Sequence, residues 1–264
     1  YNLSYFADLP QERHGRGWAD ALVDSWIASN PPGTPDAWDP YPISLRAVNW
    51  VKWMLVRDAD GGAARREVLD SLATQLRFLE KRVEYDVSAN HLMANAVALT
   101  VGGLFFGGAG GDRWLSKGLG LLERQVREQV NEDGGHYERS PMYHAVVLEQ
   151  LLDVLNVWSV FPDVAPSLRQ KHHDALEAAA LGMFNWLTAM THPDGGAAFF
   201  NDTTLGASPS LAELVDYAHR QRLQPGAAVF TGITRMSDSG FFRMRSGDGR
   251  NVLFFDVGGP EPGH

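Results

Sequence analysis

Two identical turns, Asp133-Gly134-Gly135 and Asp194-Gly195-Gly196, lie 61 residues apart (133 to 194), with a weaker third instance at Asp60-Gly61-Gly62. Paired glycines tolerate positive φ and stop a helix. Between the turns, apolar residues recur at helical spacing. The interval is about the length of two helix pairs with their loops, so it predicts stacked helical hairpins in which inner and outer helices alternate. Hairpins repeated in this way close into an α/α toroid whose inner-helix ends form a cleft.

The pattern between the turns predicts helices over 18–27, 43–57, 63–82, 90–106, 114–129 and 167–190, with a further one carrying Met142, Val146, Leu148, Leu151, Leu152 and Leu155. The first is closed by Asn30-Pro31-Pro32-Gly33, which cannot continue a helix. Ser88 is a suitable N-cap for 90–106, and that segment is nearly all apolar beyond His91, so it is expected to be buried on most sides. Trp38, Trp50 and Trp53 could be sugar-stacking platforms; for Trp50 and Trp53 a place in the core is the stronger reading. After Pro225 the period changes. Segments 228–234, 240–245 and 251–257 are short, rich in Phe and Val and separated by turn residues, which predicts an antiparallel β-meander. The reading is therefore mainly α: an incomplete α/α toroid over 1–225, then over 226–264 the first strands of an antiparallel β-sandwich. So short a sheet segment is below usual domain size, and the sheet is expected to continue beyond the chain.

Composition narrows the function. The formal charge of −9 argues against a nucleic-acid binder, which would show a basic face. Any anionic ligand must then meet a local positive patch. With no cysteine, disulfides and thiolate metal sites are excluded. No run of about 18 apolar residues is read that would span a membrane. Tyr1-Asn2-Leu3-Ser4 lacks the charged and apolar regions of a signal peptide, and a first residue other than Met suggests a cut end. Localisation stays open, with a periplasmic or secreted setting as the expectation; so does the oligomeric state.

The densest chemistry lies in 131–144, Asn-Glu-Asp-Gly-Gly-His-Tyr-Glu-Arg-Ser-Pro-Met-Tyr-His. Arg139 and Tyr143, four apart, are expected on one face near a helix start. A phenol beside a guanidinium, where the helix dipole favours negative charge, suits an anionic substrate. His136 is either a loop hydrogen bonder or a substrate contact, and Glu138 with Arg139 either a solvated pair or substrate contacts. His144 is turned about 100° from Tyr143 and reads as structural. The pair His172-His173 reads as a surface feature, with no third ligand at metal spacing. Asn201 and Asp202 either border the cleft or cap a turn.

Five segments together carry a resemblance: Asn2-Leu3 with Tyr5-Phe6; Asp39-Pro40-Tyr41-Pro42-Ile43-Ser44-Leu45-Arg46 with Asn49-Trp50; Asn90-His91-Leu92 with Ala94-Asn95-Ala96; the Asp133-to-His144 stretch; and Pro262-Gly263-His264. In these the chain resembles the heparinase II/III-like polysaccharide lyases, in which an α/α toroid precedes an antiparallel β-sandwich. It departs from them at Ser4, where the common motif has His. The resemblance implies cleavage of a uronic-acid polysaccharide by β-elimination. Removing the C5 proton places a second negative charge beside the uronate carboxylate, so donors are needed where that charge develops.

By the same resemblance Asn90 supplies such a donor, and His91 shares the task or serves as the base; the bland alternatives are a helix-start hydrogen bonder and a core histidine. Tyr143 matches the tyrosine that protonates the departing O4 and in some members also removes the C5 proton, its alternative being an ordinary buried tyrosine. His264 matches the histidine that the β-sandwich contributes. Arg46 and Asn49 become substrate contacts through the family pattern alone, joined by His136, Glu138, Arg139 and Asn201. A phenol of pKa about 10 is a feeble base, so a cation must lower it, and Arg139 is the candidate. The resemblance implies no cofactor for catalysis, no metal within the chain, and a structural divalent metal, zinc, held by sandwich residues after His264. The partner implied is an anionic polysaccharide or oligosaccharide. Two other classes compete: a toroidal glycoside hydrolase using Asp133 and Glu138, which would need carboxyls about 5–10 Å apart, and a non-catalytic glycan-binding or capsule-assembly protein on the same fold.

Overall fold

The computed structural model describes residues 4–9, 16–59, 65–87, 89–226 and 230–259. Among these, eight helices precede a three-stranded sheet: α1 (Arg16–Ser29), α2 (Pro40–Ala59), α3 (Arg66–Lys81), α4 (Ala89–Phe106), α5 (Gly108–Gln129), α6 (Pro141–Val160), α7 (Pro166–Ala189) and α8 (Leu211–Arg220), then β1 (Ile233–Met236), β2 (Phe241–Arg245) and β3 (Val252–Asp256). Seven helices match the sequence reading to within a few residues at most ends, although α5 starts six residues early because the break is confined to Gly107 and Gly108, at φ 57 and 61. The eighth, α8, was not anticipated. Asp60-Gly61-Gly62, Ser88 and Pro262-Gly263-His264 lie outside the described residues. The chain divides into two compact units, 1–122 with 160–165, and 123–159 with 166–264.

In the first unit α4 is the central element, in contact with α2 and α3. By length and composition it could cross a membrane, with a mean hydropathy of 1.3 over 18 residues, which corrects the reading that no such run exists. Yet 78% of it is buried inside the protein, as befits a core helix. Its neighbours come close because it carries glycine where they cross. A Cβ on Gly103 would lie 2.5 Å from Leu115 N, and one on Gly118 of α5 would lie 2.5 Å from Thr100 N and 2.6 Å from Thr100 Oγ1. On α3 one face, Val68, Leu72, Leu76 and Leu79, is fully buried. An aromatic cluster fills the start of this unit, with Trp50 edge-on to Phe6 at 5.5 Å and to Trp26 at 5.6 Å. Trp38, Trp50 and Trp53 are all core residues, so none is a sugar platform here. Each such ring removes on the order of 200 Å² from water, about 5 kcal/mol gross.

In the second unit the two Asp-Gly-Gly turns take the same form. Each closes an isolated antiparallel bridge, Val130 with His136 and Thr191 with Ala197. Their glycines have matching φ, 84° at Gly134 and 88° at Gly195. In each turn the Asp Oδ1 accepts from the second glycine, Gly135 N at 3.0 Å and Gly196 N at 2.9 Å. The internal repeat is therefore one backbone device used twice. Between them α6 starts at Pro141, whose fixed φ and missing N–H suit a first turn; after the second turn α8 is started by a capping box of Ser210 and Glu213. The strands pair antiparallel in the order β1-β2-β3, with Phe242 opposite Phe255 and Met244 opposite Leu253. Phe241 faces inward onto Trp186, while Ile233, Met244, Leu253, Phe255 and Val257 are exposed.

The α4–α5 crossing yields a paired test. Gly118→Ala is expected to destabilise by about 1–3 kcal/mol through overpacking against Thr100. Gly120→Ala, with nothing within 4 Å of its Cβ, is expected to be neutral or to stabilise by up to about 1 kcal/mol through helix propensity. Urea unfolding of both variants would check this; equal midpoints would mean that the crossing is looser than described.

Candidate functional site

Asn90 and His91 belong to the first unit, half-buried in the opening turn of α4, directly after Ala89 with a positive φ of 49°. His91 keeps 34% of its side chain exposed, and its Nδ1 lies 3.1 Å from Glu84 Oε1. Its ring stacks on Tyr41 at 4.2 Å with planes 20° apart. Glu84 is held in turn by Asn95, whose Nδ2 donates to Glu84 Oε2 at 3.0 Å and whose Oδ1 accepts from Glu84 N at 2.9 Å. The same Nδ2 donates to Ser44 Oγ at 3.0 Å, and Ser44 Oγ donates to Pro40 O at 2.8 Å. The loop before α4 is thus tied through one buried amide to the start of α2. Asn49, also half-buried, donates from Nδ2 to Tyr5 O at 2.8 Å.

Arg46 corrects an expectation. It is 0% exposed, and its guanidinium donates to Gln75 Oε1 at 2.7 Å, Ser4 O at 3.1 Å and Ala37 O at 2.9 Å while lying 3.9 Å over the Trp26 ring. Burial pulls its pKa down to about 9. Held in this way it binds the N-terminal segment to α2 and α3 and offers nothing to a ligand.

In the second unit the stretch from Asp133 to His144 is organised by polar bonds, part-buried or exposed at Asp133 and buried at the two histidines. Asp133 Oδ2 accepts from Asp238 N at 3.0 Å, Ser239 N at 2.8 Å and Ser239 Oγ at 2.8 Å, and Ser239 Oγ accepts from Trp186 Nε1 at 2.8 Å. His136 is 0% exposed, so the expected substrate contact gives way to its alternative, a loop hydrogen bonder: its Nε2 meets Gln129 Oε1 at 3.1 Å and its backbone N–H donates to His144 Nδ1 at 3.2 Å. His144 Nε2 donates to Met183 O at 2.9 Å and the ring stacks on Trp186, as a structural histidine should. Burial lowers both imidazoles, His136 to about 3 with help from neighbouring His144, and His144 to about 4.

Arg139 is not on α6. It precedes the helix in a left-handed conformation, φ 59, and its buried guanidinium pairs with Asp256 and Gly259 O beneath the sheet, 5.3 Å over Phe241. The expectation that it shares a helix face with Tyr143 and lowers that phenol therefore fails. Tyr143, half-buried in the first turn of α6, has its pKa raised by burial and by the charges of Glu138 and Asp202. Glu138 is buried as well, next to Tyr137, whose phenol is pushed up to about 12 by burial and by that carboxylate. Asn201 is exposed and donates to Arg139 O at 3.0 Å, which helps to hold the left-handed turn. His264 lies outside the described residues. His173 does gather Asp174 and Glu177, with ligand atoms within 4.8 Å, on the surface of α7, where no third ligand was expected.

Sequence reasoning did not single out Glu84, the role of Asn95, Asp133 as a clamp, or Asp256. The partners of the last two lie more than a hundred residues away, and no local pattern marks them. Glu84 lies seven residues before His91, across a turn, so helical spacing could not pair them.

Residues 4–224 match the family described as Heparinase II/III N-terminus. A heparin-sulfate lyase of Pedobacter heparinus is 23% identical over 96% of the chain and 40% of its own length. Among solved structures, heparinase III superposes with a TM-score of 0.70 at 17% identity, covering 93% of this chain and 42% of that one. The heparan sulfate lyase HepC of P. heparinus gives 0.65 at 19%, covering 96% and 44%. These likenesses show a shared fold, helical hairpins of the α/α-toroid type followed by antiparallel strands, and the chain spans less than half the length of each of these relatives.

The buried histidines dictate an acid response. Their folded pKa values lie below the unfolded value of about 6.5, so between about 6.5 and 4 the unfolded chain binds more protons. Stability is therefore full above pH 6.5 and falls as pH drops toward 4, by up to about 1.4 kcal/mol per pH unit for each histidine. Urea midpoints at pH 7 and pH 5 should show the loss, and His136→Gln should show a smaller one; equal losses would mean that His136 does not supply it.

Proposed function

The chain belongs to the heparinase II/III family, and on that premise we propose that this protein is a polysaccharide lyase cleaving an anionic, uronic-acid-containing glycan by β-elimination. In that reaction the C5–H bond breaks to a base, the electron pair forms C4=C5, the C4–O4 bond breaks, and O4 takes a proton. The observation that carries the reading is the state of Tyr143. A half-buried phenol whose pKa is raised by burial and two nearby carboxylates holds its proton at neutral pH and can deliver it to a departing alkoxide. Asn90 is the donor to the uronate carboxylate, where negative charge builds up. His91 is the second proton-handling group, its ring partly open to solvent. Arg139 and Glu138 act here by shaping the turn before α6.

The hydrolase reading loses its carboxyl pair. Asp133 is committed to Gly135, Asp238 and Ser239, and Glu138 is buried beside Tyr137.

The test is incubation of the full-length protein with a panel of uronate polysaccharides, followed by ultraviolet absorbance of a 4,5-unsaturated uronate. Absorbance is expected to rise, and Tyr143→Phe to lower kcat by about 10²–10⁴-fold while glycan binding stays within a few-fold. New reducing ends without unsaturation would point to hydrolysis. Binding without turnover across the panel would point to a glycan-binding protein.

A further inference from the structure

We infer that Glu84 is a positioning residue for His91, fixing the neutral imidazole as its Nδ1–H tautomer and leaving Nε2 as the lone pair available to substrate. The argument is one of donors and acceptors. Ser44 gives its proton to Pro40 O, so toward Asn95 it can only accept, and the Asn95 group facing it must be the NH₂. The other end of that amide accepts from Glu84 N, which fixes the same orientation independently. Asn95 Nδ2 therefore donates to Glu84 Oε2, and the remaining oxygen, Oε1, faces His91 Nδ1 at 3.1 Å. A carboxylate oxygen accepts only, so Nδ1 carries the hydrogen. Tyr41, stacked on the ring at 4.2 Å, fixes the imidazole plane. Every bond but the last is oriented by a neighbour, and the last follows.

The consequence for the reaction rests on the lyase reading. Neutral His91 in this tautomer has no N–H at its outer edge to offer a uronate carboxylate. It can accept there, which assigns it to removal of the C5 proton and leaves carboxylate neutralisation to Asn90. Oriented carboxylate–imidazole pairs work in this way in other enzymes, where the wrong tautomer costs on the order of 10⁴ in kcat.

The isosteric variant Glu84→Gln tests this sharply. Because Asn95 presents NH₂, the oxygen of the substituted amide is drawn to Asn95 and its NH₂ turns toward His91 Nδ1, which must then accept. The tautomer is expected to flip to Nε2–H with the fold intact. Long-range proton–nitrogen correlation spectra of the ¹⁵N-histidine-labelled full-length protein, with the His91 signals assigned by their loss in His91→Gln, read the tautomer directly and need no substrate. Nδ1–H in the parent and Nε2–H in Glu84→Gln is the result expected; Nε2–H in the parent, or an unchanged Nδ1–H pattern in the variant, overturns the inference. On a glycan that the parent cleaves, kcat is expected to fall by about 10²–10⁴-fold with KM changed only a few-fold, and an unchanged kcat would remove the catalytic consequence. A protein that cleaves no glycan sinks the lyase reading while the spectra still decide the tautomer.

Discussion

The second unit depends on one carboxylate. Asp133 uses Oδ1 to close its own glycine turn and Oδ2 to hold three donors of the β1–β2 turn. Hydrogen bonds to a charged acceptor are worth about 1.5–3 kcal/mol each, and two of these donors are backbone amides with no freedom to look elsewhere. Asp133 therefore fixes the path of the chain into His136, Tyr137 and Arg139, and with it the start of α6 where Tyr143 stands. Its twin, Asp194, closes the same kind of turn but is exposed. The backbone device is the same and its consequence differs: one copy only turns the chain, and the other anchors a sheet.

The first unit reaches rigidity by a related route, with buried polar side chains holding loops to helices. Arg46 satisfies two backbone carbonyls and Gln75, and Asn95 joins Ser44 to Glu84. Burying a guanidinium costs several kcal/mol before compensation. Neutral acceptors and the face of Trp26 offset part of that cost, and the gross burial of the surrounding tryptophans exceeds it. Side chains that look like ligand contacts in a sequence are here structural ties. Asn90, His91 and Tyr143, by contrast, are each left partly exposed.

Much of the helical order was legible because apolar spacing is a local property. The buried face of α3 and the all-round burial of α4 can be read residue by residue, as can the change of period before β1. The helix α8 is also marked locally, by Ser210 three residues before Glu213 and by Leu211, Leu214, Val215 and Ala218 at helical spacing, so its ten residues were legible although the sequence reading passed over them. Arg139 was misplaced for a different reason. Four-residue spacing implies a shared face only inside a helix, and Pro141 begins α6 two residues too late for that. Its guanidinium then follows the backbone's left-handed turn toward Asp256. The lowered phenol expected at Tyr143 failed with it, since the charges near that ring are carboxylates. Nothing within a few residues of Asp133, Arg139 or Glu84 encodes the partners that define them.

Those long reaches give the protein a timetable. The bonds of Arg139 to Asp256 and Gly259 span 117 and 120 residues. At the usual pace of synthesis, about 5–20 residues per second, their partners are made on the order of 6–24 seconds after Arg139 itself. Through that interval the cation of Arg139 lacks the partners that hold it in the finished fold. The arrangement around the start of α6 is completed only when the strands arrive, so this part of the fold is closed from its C-terminal side.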